Sequence, residues 1–359
     1  MARHPQSATT DATAVVNMDS ELSPNKEKPQ RRRRGRRNAL IALLVVALLA
    51  GIGFIGSGLY LRSVESGIQR FDVFEGVPEE VRPERVEEAK DALNILMLGS
   101  DSRDPDSSSG SRTDTIILAH LTKDRSSAQL ISIPRDTWVS VPKSKDGRHG
   151  GVESKINSAF AWGGVPFMVQ TIEEYTKVRI DHVAIVDFAG FKEIVDALGG
   201  ITVDVDVAFT STHSLDKART YTKGPMKMDG ATALDYARER YAFSDGDFAR
   251  IRHQQQVIKA ILDKAATGGT LSNPGKLNSF VRATTSTVSV DKTLNVLDMA
   301  MELRHLRSDK LGFYTSPTKG TGMIGDQSVV LPDPARASTL YDAIRRDSVD
   351  EILAAADKK

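Results

Sequence analysis

The chain has 359 residues, enough for two domains or for one large domain with extensions. Its 48 Lys and Arg nearly balance its 47 Asp and Glu, which excludes a polycation built to coat nucleic acid and an acidic disordered chain. The absence of cysteine excludes disulfides, thiolate metal sites and a cysteine nucleophile. No two of the seven histidines are three or four residues apart, so the sequence has no helical zinc motif.

Residues 1–37 are predicted to form a disordered, basic, cytoplasmic tail. The first 30 residues are rich in Pro, Ser, Thr, Gln and Asn and contain too few apolar residues to bury a core. Residues 31–37 read RRRRGRR. Such a cluster can bind nucleic acid. Directly before an apolar run it is more typical of a topology signal that contacts lipid headgroups, so no nucleic-acid partner is expected.

Residues 38–61 are predicted to be a transmembrane helix. The segment is uncharged and almost wholly apolar, and it exceeds the length of about 20 residues that a helix needs to span a bilayer. The basic cluster before it predicts a single-pass protein of the cell membrane, with a cytoplasmic N-terminus and an extracytoplasmic remainder. A cleaved signal peptide is less favoured, because its apolar core would be shorter and a small-residue cleavage site would follow. A buried helix of a soluble core is the other alternative.

The remainder alternates between predicted strands and helices. Residues 62–91 are charged and punctuated by proline, which predicts a juxtamembrane stalk. Short apolar or alternating runs predict strands at 93–98, 113–122, 128–133, 138–141, 181–188, 201–207 and 310–314. Helices are predicted at 155–161, 167–175, 190–198, 231–240, 248–266 and 335–345, with two more between 274 and 306. This interleaving predicts one α/β domain over residues 92–347, an α/β/α arrangement with helices flanking a central mixed sheet.

Charged residues concentrate in three loops that lie beside predicted buried strands. The loops contain GSDSR and SRTDT, then SIPRDT, then YARER with GDFAR and QQQ. Ligand loops of α/β sheets lie at strand ends. Arginine pairs bidentately with phosphate oxygens, and two aspartates are a minimal seat for Mg²⁺, so the set is typical of a pyrophosphate site with its metal. Surface ion-pair networks have the same composition and remain an alternative, since the chain has neither a P-loop nor a GxGxxG motif.

Several motifs in order resemble one known family. NILMLGSDSR, RTDTIILA, LISIPRDTWVSVP and KINSAFAWGG are followed by DHVAIVDFAGFKEIVDALGGITVDV, ALDYARER and GDFARIRHQQQ, over about residues 92–265. This series is similar to that of the LytR-CpsA-Psr family. The predicted N-terminal anchor agrees with the resemblance.

The resemblance implies a transferase on the outer face of the membrane in Gram-positive bacteria and actinomycetes. Members are expected to move a polyprenyl-pyrophosphate-linked glycopolymer, such as teichoic acid, capsule or another secondary wall polymer, onto peptidoglycan through a phosphodiester bond. Polyprenyl phosphate is released. The implied partners are the lipid-linked glycan, the peptidoglycan acceptor and the bilayer. The alternatives are a polyprenyl-pyrophosphate phosphohydrolase, a non-catalytic polyprenyl-phosphate-binding scaffold and a membrane-bound regulator of envelope genes.

The resemblance also implies roles for individual residues. Mg²⁺, with Mn²⁺ as an alternative, is expected on Asp101 and Asp114. Asp101 and Arg135 are the expected catalytic residues, with Asp101 as base, although either aspartate could serve the metal alone. The expected pyrophosphate-binding residues are Arg112, Arg135, Lys155, Arg238, Arg240, Asp247, Arg250 and Gln254, with Arg103 as a weaker candidate.

Two further expectations concern individual side chains. His253 stands where many relatives have arginine, and it either donates to phosphate when protonated or packs in the fold. The lipid requires an apolar channel. The residues considered for its lining, which are equally ordinary core residues, are Phe160, Trp162, Phe167, Met168, Ile172, Val195 and Leu198.

Overall fold

The computed structural model describes residues 68–100, 113–144, 146–212, 218–267, 274–296, 298–299 and 310–350. They belong to one compact unit, Leu59–Lys359. None of the helices in these ranges is long and apolar enough to cross a membrane. The predicted tail, the predicted transmembrane helix at 38–61 and the start of the predicted stalk lie outside the described residues.

A mixed sheet forms the centre of the fold. Among the described residues it has seven strands in the order β1-β12-β7-β2-β3-β4-β13. These are β1 Gln69–Phe71, β2 Leu93–Ser100, β3 Thr113–Leu121, β4 Ala128–Ser132, β7 His182–Asp187, β12 Val288–Asp291 and β13 Leu311–Thr315. The β2, β3 and β4 strands are antiparallel neighbours, whereas β7 runs parallel to β2 and β13 runs parallel to β4. The prediction of an α/β fold with a central mixed sheet is confirmed.

Helices cover both faces of this sheet. They are α1 Ser158–Thr176, α2 Phe188–Ala197, α3 Gly230–Arg238, α4 Asp247–Thr267, α5 Pro274–Thr287 and α6 Pro334–Arg345. On one face, Leu96, Leu118 and Ile131 pack in a core with α1 and α6. On the other face, Ile95, Ile117 and Leu130 pack with Ile258 of α4. Side chains of successive strand residues point to opposite faces, so each buried strand supplies both cores.

Four two-stranded sheets complete the described fold. They are β5 Trp138–Val141 with β6 Val152–Lys155, β8 Ile201–Val205 with β11 Gly224–Met228, β9 Phe209–Thr210 with β10 Thr220–Tyr221, and β14 Thr318–Ile324 with β15 Gln327–Pro332. The β8–β11 pair and α2, α3 and α4 share a third core that includes Tyr221 and Tyr236. This core holds α3 and α4 in place beside the sheet.

The described part of the predicted stalk is part of the fold. The edge strand β1 pairs with β12, and Phe71, Val73 and Val77 are buried in the core beneath α1. Arg82 donates to Glu173 of α1 and to the carbonyl of Ile180. The charged residues and prolines of this segment predict a stalk, but the segment also contains these three apolar residues. Their burial stabilises the packing of the segment against the domain.

Other differences fall on short strands. The segment predicted as helix between 274 and 306 contains β12, a four-residue strand that is stabilised by pairing on both sides. Lys155, predicted at the start of a helix, is the last residue of β6. The β14–β15 hairpin was not predicted, because its strands are half exposed and carry no continuous apolar run.

Candidate functional site

A cavity of about 370 Å³ lies between the sheet and helices α2, α3 and α4. Most of its wall is apolar. The sheet contributes Met97, Ile117 and Val186, and the helices contribute Phe188, Phe191, Ile194, Leu234, Ala237, Val257, Ile258, Ile261 and Leu262. The rest of the wall is polar and includes Asp114, Arg135, Arg238, Arg240, Arg250 and Gln254. This shape suits an amphipathic ligand with an apolar body and an anionic head.

The turn after β4 carries Arg135 to the cavity. Thr137 closes the turn, because its backbone N–H and its hydroxyl both donate to the carbonyl of Pro134, at 3.0 and 2.6 Å. Asn157, just before α1, donates its backbone N–H to the carbonyl of Arg135 at 3.2 Å. These bonds fix the backbone from which the Arg135 side chain extends.

Carboxylates surround the Arg135 guanidinium. It donates to Asp114 on β3, and its Nε lies 3.7 Å from an oxygen of Asp136. Burial opposes the charge, but the carboxylates of Asp114, Asp136 and Asp247 outweigh burial and raise the pKa of Arg135. Among the described residues, the buried Nε has no hydrogen-bond partner. The guanidinium therefore stays charged, and its Nε–H can still donate a hydrogen bond.

A second charged group comes from the first turn of α4. Arg250 Nη2 donates to Asp247 Oδ2 at 2.9 Å, and Arg240 Nη1 lies 3.6 Å from Asp247 Oδ1. Burial, reinforced by the nearby charges of Arg135 and Arg240, lowers the pKa of Arg250. Asp247 Oδ1 and Arg250 Nε are buried and lack hydrogen-bond partners within the described part of the chain. An anion arriving here would relieve the repulsion between the arginines.

Arg238 is the last residue of α3, and Arg240 follows two residues later in the loop. The Arg238 guanidinium lies 4.4 Å from the centre of the Phe188 ring, a cation–π contact at the first residue of α2. Arg240 lies over the ring of Tyr241 and donates to its hydroxyl at 2.5 Å. Both guanidinium groups line the cavity, as does Gln254 on the next turn of α4 after Arg250.

Lys155 joins the network through a carboxylate. Its Nζ lies 3.4 Å from Asp136 Oδ1, the carboxylate that also faces Arg135. Lys155 does not line the cavity. The structure therefore connects it to the charged cluster through Asp136 and not through the cavity itself.

Two of the sequence-predicted site residues, Asp101 and Arg112, lie outside the described residues, as does Arg103. The other predicted site residues are brought together. One cavity is lined by Asp114, Arg135, Arg238, Arg240, Arg250 and Gln254. Asp247 forms ion pairs with two of these arginines, and Lys155 forms an ion pair with Asp136, which also faces Arg135.

The described carboxylates suit a hard divalent cation in donor type. Asp114 and Asp247 both act on the charges of Arg135 and Arg250, so they lie in one neighbourhood, and Asp247 Oδ1 is buried without a hydrogen bond. Mg²⁺ prefers one or two carboxylates plus water and phosphate oxygens. Within the described ranges no group of three or more His, Asp or Glu could hold a metal on its own. The donors fit a cation that shares its shell with a ligand.

His253 packs in an aromatic cluster and does not reach the cavity. Its ring stacks on Phe209 at 5.4 Å and lies 4.3 Å from the ring of Tyr236. Burial lowers the pKa of His253 from 6.5 to about 4, so the ring is neutral near pH 7. Of the two interpretations of this residue, the structure supports packing and contradicts a protonated donor to phosphate.

The residues considered for the lipid channel line no part of this cavity. Phe160, Phe167, Met168 and Ile172 are buried in the core between α1 and the sheet, and Trp162 packs against it. Val195 and Leu198 belong to the core shared by α2, α3 and α4. Of the two interpretations of these residues, the structure supports that of ordinary core residues.

The apolar wall was missed because its members come from distant segments. Phe188 and Phe191 face the cavity from the first turn of α2, and α4 contributes four apolar residues along one side. The only local signal is that helix α4 has apolar residues at 257, 258, 261 and 262, a spacing that any core-facing helix also shows.

The fold and the cavity define a class of protein: an α/β/α domain with a cavity between sheet and helices, whose wall is mostly apolar and carries a group of arginines. Residues 69–344 match the LytR_cpsA_psr family, and the chain belongs to it. The resemblance inferred from the motifs is confirmed.

Named relatives agree with this assignment. The chain is 34% identical over 245 residues to a polyisoprenyl-teichoic acid–peptidoglycan teichoic acid transferase, TagU, of Bacillus cereus, covering 67% of this chain and 76% of the relative. It is 29% identical over 289 residues to TagU of Enterococcus faecalis, covering 80% and 88%. The crystal structure of Bacillus subtilis TagV matches with a TM-score of 0.61 and 25% identity, covering 72% of this chain and 98% of that one.

Proposed function

We propose that this chain is a phosphotransferase that moves a glycopolymer from a polyprenyl-pyrophosphate carrier onto peptidoglycan. The relatives TagU of Bacillus cereus and Enterococcus faecalis are named for transfer of teichoic acid to peptidoglycan. The polymer handled here is a teichoic acid, a capsule or another secondary wall polymer. The observation that carries the proposal is the cavity, whose two parts match the two parts of a polyprenyl pyrophosphate.

The apolar part of the cavity suits the polyprenyl chain. Its wall combines aliphatic side chains of the sheet and α4 with the rings of Phe188 and Phe191. Burying a prenyl chain there would gain roughly 25 cal/mol for each Å² of apolar surface removed from water. A free nucleotide or sugar phosphate has no apolar chain that could pack against this wall.

The arginines suit the pyrophosphate. Arg135, Arg238, Arg240 and Arg250 line the cavity. Guanidinium groups fixed before the ligand arrives stabilise charge that develops on phosphate oxygens in the transition state. Because the buried Nε–H groups of Arg135 and Arg250 have no hydrogen-bond partner among the described residues, each can donate to a phosphate oxygen.

The proposed reaction is a substitution at phosphorus. A sugar hydroxyl of peptidoglycan attacks the phosphorus that bears the glycan, and a new phosphorus–oxygen bond forms. The bond from that phosphorus to the bridging oxygen breaks, and polyprenyl phosphate leaves with the bridging oxygen. The hydroxyl proton passes to a carboxylate, for which Asp101 is the proposed base. The carrier supplies the activation, so the reaction needs no ATP.

We include Mg²⁺ in the proposal, with Mn²⁺ as an alternative. Asp114 and Asp101 are its proposed ligands, and the cation would neutralise pyrophosphate charge. Asp114 accepts a hydrogen bond from Arg135, and this bond keeps the Asp114 carboxylate beside the arginines proposed to bind phosphate.

The proposed location is the outer face of the cell membrane. The apolar run at 38–61 and the basic cluster before it support a single-pass anchor with a cytoplasmic N-terminus. Both substrates, the lipid carrier and peptidoglycan, would then meet the domain at the membrane surface.

A transfer assay tests the proposal. Purified full-length protein in detergent would be mixed with a short lipid-linked pyrophosphoryl oligosaccharide, a peptidoglycan oligomer and Mg²⁺, and the products followed by mass spectrometry. We expect covalent attachment of the glycan and release of polyprenyl phosphate. Release without attachment would instead identify a phosphohydrolase, and stable binding without either product would identify a scaffold.

A further inference from the structure

Glu239 stands between two of the arginines of the cavity, Arg238 and Arg240, yet its side chain does not line the cavity. The residue is only 1% exposed. It follows the last residue of α3 and has an extended backbone, with φ −66° and ψ 131°. The chain therefore leaves the helix at Glu239, and the glutamate side chain turns back under the loop that it begins.

The Glu239 carboxylate collects backbone N–H groups from the loop. Its Oε1 accepts from the N–H groups of Arg240 and Tyr241, both at 2.8 Å, and from that of Ala242 at 3.2 Å. Three successive N–H groups that converge in this way form an anion-binding concavity. Here the anion is supplied by the chain itself, so a phosphate cannot enter this concavity and must bind to side chains.

The other side of the carboxylate holds a separate segment. Oε2 accepts from the backbone N–H of Thr212 at 2.5 Å, and the Thr212 hydroxyl donates to Oε1 at 3.1 Å. One buried carboxylate thus ties the Arg240 loop to the strand region before β10. Burial opposes ionisation, but the hydrogen bonds from Thr212, Ala242 and Tyr241 outweigh it and lower the pKa of Glu239.

The Glu239 carboxylate holds the backbone from which the Arg240 side chain extends. The backbone N–H of Arg240 is bonded to the carboxylate, while its guanidinium extends to within 3.6 Å of Asp247 on α4. Arg238, on the other side, is held over the ring of Phe188. With its backbone fixed, each arginine has only side-chain freedom left to lose when an anion binds.

We propose that Glu239 is a positioning residue for the pyrophosphate, which sets the direction of Arg240 by filling the backbone concavity that follows α3. This inference rests on the proposed function, because it assumes that the arginines of the cavity bind a pyrophosphate. It assigns Glu239 no contact with the substrate. The carboxylate acts through Arg240.

Glu239→Gln tests the role, because glutamine keeps the shape and removes the charge and one acceptor. The probe is farnesyl pyrophosphate, and its affinity for the full-length protein in detergent would be measured by calorimetry. We expect the affinity to fall by at least about tenfold, which corresponds to about 1.4 kcal/mol, because Arg240 is no longer aimed at the phosphate. Asp347→Asn is the matched control: its carboxylate is also buried, is hydrogen-bonded to His120 and Lys123, and does not line the cavity.

A double-mutant cycle separates positioning from general stability. Arg240→Ala alone should weaken farnesyl pyrophosphate binding, and adding Glu239→Gln to it should cost little more, because the arginine through which Glu239 acts is gone. Combined with Arg135→Ala, Glu239→Gln should retain its full effect. Thermal unfolding of Glu239→Gln and Asp347→Asn would check that both variants fold.

The outcomes are distinct. Weakened binding by Glu239→Gln, unchanged binding by Asp347→Asn and non-additivity with Arg240→Ala would support the role. Unchanged binding by Glu239→Gln, or a loss that adds in full to that of Arg240→Ala, would overturn it. Failure of the wild-type protein to bind farnesyl pyrophosphate would contradict the proposed function itself and remove the role with it.

Discussion

Two buried clusters of charge in this domain differ in how completely they are paired. Beneath α1, Glu173 accepts three hydrogen bonds from Arg82 and one from the backbone N–H of Ile180. At the cavity, the described structure leaves Arg135 Nε, Arg250 Nε and Asp247 Oδ1 buried without hydrogen-bond partners. Both clusters are built from arginine and carboxylate side chains, so charge alone does not separate them.

Under the proposed function, this difference separates a cluster that serves the fold from a cluster that serves a ligand. A buried polar group without a partner costs about 1–3 kcal/mol, so it is retained where something else offsets the cost. The Arg82–Glu173 pair holds the segment around Arg82 against α1. The hydrogen bonds of both side chains are made within the fold. The charges of Arg135 and Arg240 oppose that of Arg250, and the proposed pyrophosphate would offset this repulsion.

The largest effect is expected at the cavity. Arg135→Ala should reduce transfer by about 10²–10³-fold, the usual cost of removing one group that stabilises transition-state charge. The rate of glycan attachment, measured by mass spectrometry, checks this. Unfolding should stay cooperative, since Asp114 and Asp136 remain near solvent. Turnover close to wild type would remove Arg135 from the account.

The paired cluster should respond in the opposite way. Arg82→Ala leaves the Glu173 carboxylate buried without its partner, and we expect a loss of about 3 kcal/mol in the free energy of unfolding. Denaturant titration measures it. The protein that remains folded should transfer glycan at the wild-type rate per folded molecule. A selective loss of transfer would mean that this cluster too serves the ligand.

His253 distinguishes a packed ring from a charged contact by its pH response. The pKa of His253 is about 4 in the folded chain and about 6.5 in the unfolded chain. Between these pH values, His253 is therefore protonated in the unfolded chain and neutral in the folded chain. Stability should therefore fall as pH drops from 6.5 to 4, by roughly 3 kcal/mol, and then level off. His253→Phe should abolish this contribution and leave transfer unchanged at pH 7. An unchanged acid response would contradict the neutral, packed assignment.

The smallest effect concerns the apolar wall. Ile258→Trp adds volume on the cavity side of α4 at a position that is only half buried. We expect binding of farnesyl pyrophosphate to weaken by about tenfold because prenyl contact is lost. Binding of inorganic pyrophosphate should not change. Equal losses for both ligands would indicate that the tryptophan disturbs the arginines and not the prenyl chain.

Sequence patterns predicted what is local and continuous. The buried strands β2, β3, β4 and β7 and the helices α2 and α4 were found because each carries its own period of apolar residues. Arg135, Arg238, Arg240 and Arg250 were found through motif resemblance, and the fold brings them to one cavity.

What could not be predicted depends on partners distant in sequence. Strand β1 is stabilised by pairing with β12, more than 200 residues later, and neither strand is long enough to be recognised alone. The apolar wall is shared by β2, β3, β7, α2, α3 and α4. Phe160 and Phe188 look alike in the sequence, and only the packing of α1 against the sheet makes the first a core residue.

The most direct test of the account is a crystal structure of the protein with farnesyl pyrophosphate. We expect the two phosphates among Arg135, Arg238, Arg240 and Arg250, and the prenyl chain between the sheet and α4, in contact with Ile117 and Ile258. Phosphates bound away from these arginines, or a prenyl chain on the α1 face of the sheet, would contradict the central claim that this cavity holds the lipid carrier.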